Sequence, residues 1–264
     1  MYDSFSLDYD RFVNWPNRLA FELPFIQMQL SALNPAPQGQ PLYILDAACG
    51  TGMHVVALAQ QGYTVSGADL SVGMIERAKV NAAAAGVEAR FAAAGFGVLA
   101  QEFHGQPGFP FDAVLCLGNS LPHLLMRPEL DAALADFAAC LKPGGLLLIQ
   151  NRNFDAVMAQ RQRWMEPQAY PETGRDWIFL RFYDFEADGL INFNIVTLYR
   201  EGDGQWVQHI NSSRLRPLLR GELAGALLLA GFQEITCFGG MDASPFDPTS
   251  SGNLIITARS SAHP

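Results

Sequence analysis

The chain is short of cysteine: among 264 residues there are four, Cys49, Cys116, Cys140 and Cys237, with no C-x-x-C pair among them. That spacing excludes a disulfide framework or a zinc knuckle, and the apolar neighbours in "VLCLG" and "FAACLK" make reduced core thiols the expectation. Long apolar runs are also missing, as is a basic-then-apolar leader, so the chain reads as soluble and cytoplasmic, without a membrane partner. Basic residues are scarce: 17 Lys and Arg stand against 26 Asp and Glu, a formal charge of −9. A nucleic acid would need a basic stripe, so no nucleic-acid partner is expected. What the chain has in quantity is apolar residues, 49% of the total, enough to bury a substantial core.

Strand and helix patterns alternate over most of the length. After an aromatic start (Tyr2, Phe5, Tyr9, Phe12, Trp15), apolar residues recur at helical spacing through Leu19, Leu23, Ile26 and Leu30, with Pro24 predicting a kink or break. Strands are predicted at 42–47, 64–68, 89–93, within "FPFDAVLCLG", and at 146–151. Helices are predicted at 54–61, stopped by Gly62, at 72–84 behind a Ser71 cap, and at 128–140. This alternation implies right-handed crossovers and a parallel sheet covered on both faces. Between Asp176 and Arg216 the pattern changes to three strand-like runs separated by Ala187-Asp188-Gly189 and Gly202-Asp203-Gly204, which predicts an antiparallel insertion. A helix at 220–230, capped by Gly231, and two strands near 232–238 and 254–258 close the chain. The expected division is an N-terminal helical lid (1–40), a cofactor-binding core (41–160), a β insertion shaping the substrate pocket (161–217) and a return to the core (218–264).

The stretch "LDAACGTG" (Leu45–Gly52) lies where the first strand turns into a helix. A dinucleotide site would carry a third glycine, and Val55 stands in its place. Asp46, at the strand tip, suits a ligand ammonium, while Gly50 and Gly52 let backbone approach a sugar. Asp69, 17 residues after Gly52, ends the second strand and is placed to accept from both ribose hydroxyls. An ammonium without a pyrophosphate points to S-adenosylmethionine.

With "LDAACGTGMH", "VSGADLSVGMIERAK", "FDAVLCLGNSLPHL" and "LKPGGLLLIQNRNFD" in this order, the sequence resembles the class I S-adenosylmethionine-dependent methyltransferases, and its last two segments are most similar to the glycine N-methyltransferase branch. The resemblance implies a Rossmann-like, seven-stranded, mostly parallel sheet with helices on both faces, and an antiparallel β insertion after strand 5. It also implies that Asp46, Ala48 and Gly50 line the methionine end, Asp69 the ribose, and Leu70 and Met74 the adenine, with Leu117 offering backbone to the ammonium. Gly95 replaces the acidic residue usual at the adenine amine, and Phe96 is left to cover the ring. Arg18 reads as the partner of the cofactor carboxylate or as a helix-surface charge.

For the acceptor, Asn119 and Arg152 are candidate catalytic and binding residues at the carboxyl ends of strands 4 and 5, beside Asn151 and Asn153. Asn119 also suits a turn, and Arg152 also suits a surface ion pair. His123 reads as a general base or a loop cap. Tyr183, Asn194 and Arg214 of the insertion are candidates to face the substrate, with Arg214 and Arg216 placed to read an acidic one; alternation leaves open which face covers the site. "CLGNSLP" carries no acid, so no metal is expected. The expected activity is methylation of a small molecule, on the nitrogen of an amine such as glycine or sarcosine. Open alternatives are an O- or C-methyltransferase of a larger metabolite, a non-catalytic S-adenosylmethionine-binding protein, and an NAD-dependent oxidoreductase.

Overall fold

The computed structural model describes residues 9–33 and 41–261; Tyr2 and Phe5 of the aromatic start lie outside them. Following a helical turn at 9–12, the elements are α1 (Trp15–Ser31), β1 (Tyr43–Asp46), α2 (Met53–Gln60), β2 (Thr64–Asp69), α3 (Val72–Ala84), β3 (Arg90–Ala93), α4 (Leu99–Phe103), β4 (Phe111–Cys116), α5 (Arg127–Cys140), β5 (Leu141–Arg152) and α6 (Phe154–Gln160). Then come β6 (Gln168–Glu172), β7 (Arg175–Phe185), β8 (Ile191–Glu201) and β9 (Val207–Leu215), followed by α7 (Arg220–Leu229), β10 (Phe232–Phe238) and β11 (Asn253–Ser260).

Seven strands form one sheet in the order β10-β11-β5-β4-β1-β2-β3, all running in one direction except β11, which is antiparallel to both β5 and β10. Residues alternate between its two faces. Ile44, Ala113, Leu115, Leu146 and Leu148 pack beneath α1, α2 and α3, while Leu45, Val114, Cys116, Leu147 and Ile149 pack against α4, α5 and α7. With both faces covered, the central strands are apolar throughout, which is why they read as uninterrupted runs. The strand order reverses between β1 and β4, and in an open α/β sheet a ligand crevice opens at the carboxyl ends of such a pair.

Three expectations are corrected. Pro24 lies inside α1 without ending it; one missing N–H is tolerated because Phe25, Ile26 and Leu30 pack the helix onto the sheet. The "KPGG" turn is absorbed into β5, whose register against β4 jumps from Phe111↔Leu141 to Ala113↔Leu146. The insertion has four strands, not three, ordered β6-β7-β8-β9 and antiparallel. The additional β6 is a short edge strand carrying Pro171, a composition that reads as loop.

The odd-numbered residues of β7 settle which face of the insertion looks inward. Trp177 and Phe179 pack with Ile195, Tyr9 and Phe12, and Tyr183 packs with Phe154 and Ile191. The inward face therefore lies over the carboxyl ends of β4 and β5.

Candidate active site

Two cavities adjoin at the carboxyl ends of β1, β2, β4 and β5, and Tyr9, Arg18, Gly118 and His123 line both. The first, of about 350 Å³, is bordered by the turn after β1, the end of β2 and the loop after β3. Arg18, Asp46, Ala48, Gly50 and Asp69 line it together with Leu70, Met74, Gly95, Phe96 and Leu117. Ten of the eleven residues expected around a cofactor are thus brought together.

Gly52 is the exception. At φ +77° it precedes α2, and a Cβ there would stand 2.9 Å from the Cβ of Ala78 and 3.1 Å from Phe91. Its bare backbone serves the packing of the turn onto α3 and β3, not access to the cavity. Gly50 does border the cavity, and its N–H donates to Asp69 Oδ2 at 2.9 Å. Asp69 Oδ1 accepts from Ser71 N–H, also at 2.9 Å, so the carboxylate is locked in place at the end of β2. Each carboxylate oxygen keeps acceptor capacity beyond these bonds.

Asp46 is 1% exposed, and its Oδ1 has no hydrogen-bond partner among the described residues. Burial pushes its carboxyl up to about 6, against lowering by the charge of His54 and the backbone of Ala48. A buried acceptor lacking a donor suits a bound cation, since an unsatisfied carboxylate oxygen is costly. The acceptors around the first cavity therefore fit an amino-acid ammonium donating to Asp46 and ribose hydroxyls donating to Asp69.

Arg18 is not a surface charge. Its Nε donates to both oxygens of Glu22, at 3.2 and 3.1 Å, and its Nη2 donates to Gln150 Oε1 at 3.3 Å. Gln150 in turn accepts from Gly118 N–H and donates to Glu22 Oε1, clamping the loop after β4. This Arg18–Glu22–Gln150–His54 cluster was not foreseen from sequence. The i, i+4 spacing of Arg18 and Glu22 was the one signal available. A second anchor is Asp10, whose carboxylate accepts from Thr51, Trp15, Arg77 and Asn81 and fixes the N-terminal turn over the mouth of the first cavity.

The second cavity, of about 360 Å³, lies between the ends of β4 and β5 and the inward face of the insertion. Asn119, Arg152 and Tyr183 line it, as do Asn151 and Arg181. Asn119 adopts φ +67°, and its Oδ1 accepts from Arg152 N–H at 3.0 Å, so part of its amide serves the turn. Tyr183 lines the same cavity as Arg152, and burial pushes its hydroxyl up to about 12 against the lowering charges of Arg152 and Arg181, so it stays protonated. His123 sits at the junction of the cavities; burial lowers it to about 4 and leaves a neutral imidazole above that pH. A group so weakly basic is a poor general base.

Other acceptor candidates fall outside. Arg214 pairs in register with Asn192, on the face of the insertion opposite Tyr183, and its guanidinium binds Glu186 and Asp188. Asn194 shares that outer face, donating to Asp184 and accepting from Ser212. Arg216 is paired with Glu222. Asn153 caps α6 and donates to the carbonyls of Asp247, Pro248 and Ser251. Arg181, by contrast, was missed, because a charged residue within a strand reads as outward-facing.

Among the described residues, no three His, Cys, Asp or Glu side chains cluster as a metal-binding group, and no helix is long and apolar enough to cross a membrane. All four cysteines are free, and burial pushes the thiols of Cys49, Cys116 and Cys140 up, so they stay protonated.

Comparison with known proteins agrees with the fold. The methyltransferase-domain family matches residues 44–145. A glycine/sarcosine N-methyltransferase of Parasynechococcus marenigrum (strain WH8102) is 32% identical over 238 residues, 90% of this chain and 77% of the relative. One from Halorhodospira halochloris is 29% identical over 92% of this chain and 82% of its own length. In structure, an S-adenosylmethionine-dependent methyltransferase from Clostridium acetobutylicum ATCC 824 superposes with a TM-score of 0.76 at 17% identity, over 98% of this chain and 99% of its own. At that identity the superposition speaks to the fold, which it shares.

Proposed function

The chain belongs to the S-adenosylmethionine-dependent methyltransferases, near the glycine N-methyltransferase branch, and from that premise we propose that it methylates the nitrogen of a small amino acid of the glycine or sarcosine type. The observation that carries this reading is the pair of adjoining cavities, one walled by a buried carboxylate with an unpartnered oxygen and the other by two half-buried arginines whose Nε atoms are unpartnered. S-adenosylmethionine supplies a methyl group on a sulfonium sulfur, which takes the bonding electron pair as the methyl leaves.

The residues divide as follows. Asp46, with Ala48 and the backbone of Leu117, receives the ammonium end; Gly50 gives close backbone approach; Asp69 holds the ribose. Leu70, Met74 and Phe96 hold the adenine by apolar contact, since Gly95 offers its amine no side-chain acceptor. Arg18, held by Glu22, stands at the junction as a positive group for the cofactor carboxylate. Arg152, oriented by the Asn119 amide, binds the acceptor carboxylate. Its fork suits bidentate recognition.

An amine attacks only when neutral, and its proton leaves to water; His123 shapes the junction as a neutral hydrogen-bonding group. What remains for the protein is alignment of nitrogen and methyl in a site closed to solvent. The N-terminal segment, with Tyr9, Phe12 and Trp15 against the cavity mouths, is the lid in this reading. The reading includes no metal and no nucleic-acid partner, and a cytoplasmic location in keeping with reduced thiols.

Purified protein incubated with S-adenosylmethionine and glycine, sarcosine or dimethylglycine tests it. Release of S-adenosylhomocysteine that depends on one of these amines is the expected outcome. Release at the acceptor-free rate with all of them contradicts it.

A further inference from the structure

Arg181 is the one charged residue between Phe179 and Tyr183 on the inward face of β7, with Ile195 opposite it in register. Its guanidinium lies over the ring of Phe12, 5.2 Å from the centroid, and its Nε is buried without a partner. Tyr183, two residues further on the same face and so roughly 7 Å along the strand, lines the cavity together with Arg152, whose Nε is likewise buried and unpartnered. Arg152 and Arg181 thus both line the second cavity.

The charges around it do not balance. Of its described lining residues, Glu22 alone is acidic, and Glu22 is already engaged by Arg18, Gln150 and His54. Arg152 and Arg181, both half-buried, are left with no carboxylate from the described lining, and their buried Nε atoms lack a hydrogen-bond partner, which costs free energy unless a ligand supplies one. The same cavity holds further unanswered polar atoms: both ends of the Asn151 amide, in a residue 1% exposed, and Gln168 Oε1. At about 360 Å³ it also reaches the size range of small-molecule pockets, with room to spare around the smallest amino acid.

We propose that the acceptor is an amine carrying two anionic groups, an α-amino dicarboxylate, with Arg152 holding one carboxylate and Arg181 the other. The proposal rests on the N-methyltransferase reading and adds a second carboxylate to the amino acid it takes. It assigns Arg181 as the residue that selects for the second anionic group, with Asn151 and Gln168 supplying hydrogen bonds along the chain between the two. The reaction balances as for any amine: the N–C bond forms, the S–C bond breaks, and the amine proton passes to solvent.

The test is initial-rate kinetics with aspartate, glutamate and N-(carboxymethyl)glycine beside glycine and sarcosine, on the wild type, Arg181→Met and Arg181→Lys. S-adenosylhomocysteine binding by calorimetry reports on folding of each variant. The wild type is expected to favour at least one dicarboxylate over sarcosine by roughly tenfold or more in kcat/KM. Arg181→Met is expected to lose that preference through KM, Arg181→Lys to keep part of it, and both to bind S-adenosylhomocysteine as the wild type does. Turnover of glycine or sarcosine with every dicarboxylate rejected overturns the proposal and leaves the N-methyltransferase reading standing. So does a dicarboxylate preference that survives Arg181→Met. If no amino acid is turned over by a protein that binds S-adenosylhomocysteine, the amino-acid reading falls and takes this proposal with it.

Discussion

Glu22 Oε2 lies 2.7 Å from His54 Nε2, with the two side chains 5% and 4% exposed, and this contact joins α1 to α2 beneath the junction of the two cavities. Burial works to raise the Glu22 carboxyl, but the hydrogen bond from His54, the charges of Arg18 and His54, and the hydrogen bond from Gln150 together hold it at about 2. A depressed carboxyl stabilises the fold above its ordinary value of 4.5, and the contribution is lost as pH falls toward 2. Glu22→Ala leaves Arg18 without its buried partner and is expected to cost about 3–5 kcal/mol in denaturant unfolding at neutral pH. Glu22→Gln, which keeps hydrogen bonding, is expected to cost less and to flatten the acid limb of the stability profile.

Asp46 has the opposite sign. Burial raises its carboxyl to about 6, so its contribution to the stability of the free protein is greatest in acid and falls as pH rises through 6. A bound ammonium reverses the preference and favours the ionised form. S-adenosylhomocysteine, followed by calorimetry, is therefore expected to bind roughly tenfold more weakly at about pH 5 than at about pH 7. Asp46→Asn is expected to remove that dependence and weaken binding throughout, while leaving the free protein as stable or more so at neutral pH.

The two turn glycines separate packing from binding. Gly52→Ala meets both a φ of +77° and the Ala78 Cβ at 2.9 Å, and is expected to destabilise by about 2–5 kcal/mol. Gly50→Ala, at φ +52° with Tyr9 Cε1 at 3.7 Å, is expected to cost only about 1–2 kcal/mol of stability but to weaken S-adenosylhomocysteine binding. Thermal unfolding and calorimetry on both variants check the contrast.

Arg152→Met is expected to raise KM for the acceptor roughly tenfold to a hundredfold, with the affinity for S-adenosylhomocysteine unchanged. Equal losses in both would show that Arg152 supports the cofactor cavity instead.

Arg214→Ala is the control. Its guanidinium binds Glu186 and Asp188 at a surface where the side chain is 44% exposed. Steady-state rates are expected to match the wild type and thermal unfolding to change little, since solvent screens an exposed ion pair.

The core of the fold was legible because its physics is local. Strands buried on both faces read as apolar runs, Gly62 and Gly231 stop helices with φ of +91° and +87°, and Ser71 caps α3 by accepting from Met74 N–H at 3.2 Å. The cofactor side was legible for the same reason: Asp46 and Asp69 end adjacent parallel strands, so position along the chain fixes position at the crevice. The acceptor side depends on which face of β7 turns inward, and both its faces carry aromatic residues. Sequence therefore placed Arg214 in the site and passed over Arg181, and only pairing with β8 and docking on Phe12 reverse the two. Gly52 was misread because its neighbour in space, Ala78, is on another helix. The Glu22–His54 contact spans 32 residues, beyond any local pattern.

The central claim is that the two cavities bring a methyl donor and an amino-acid nitrogen together. Mass spectrometry of the products from S-adenosylmethionine carrying a deuterated methyl group, with glycine, sarcosine and the dicarboxylates as acceptors, tests this most directly. A labelled N-methyl amino acid formed in step with S-adenosylhomocysteine is expected, with much reduced formation in Arg152→Met. Cofactor binding with no labelled amino acid from any acceptor would contradict it.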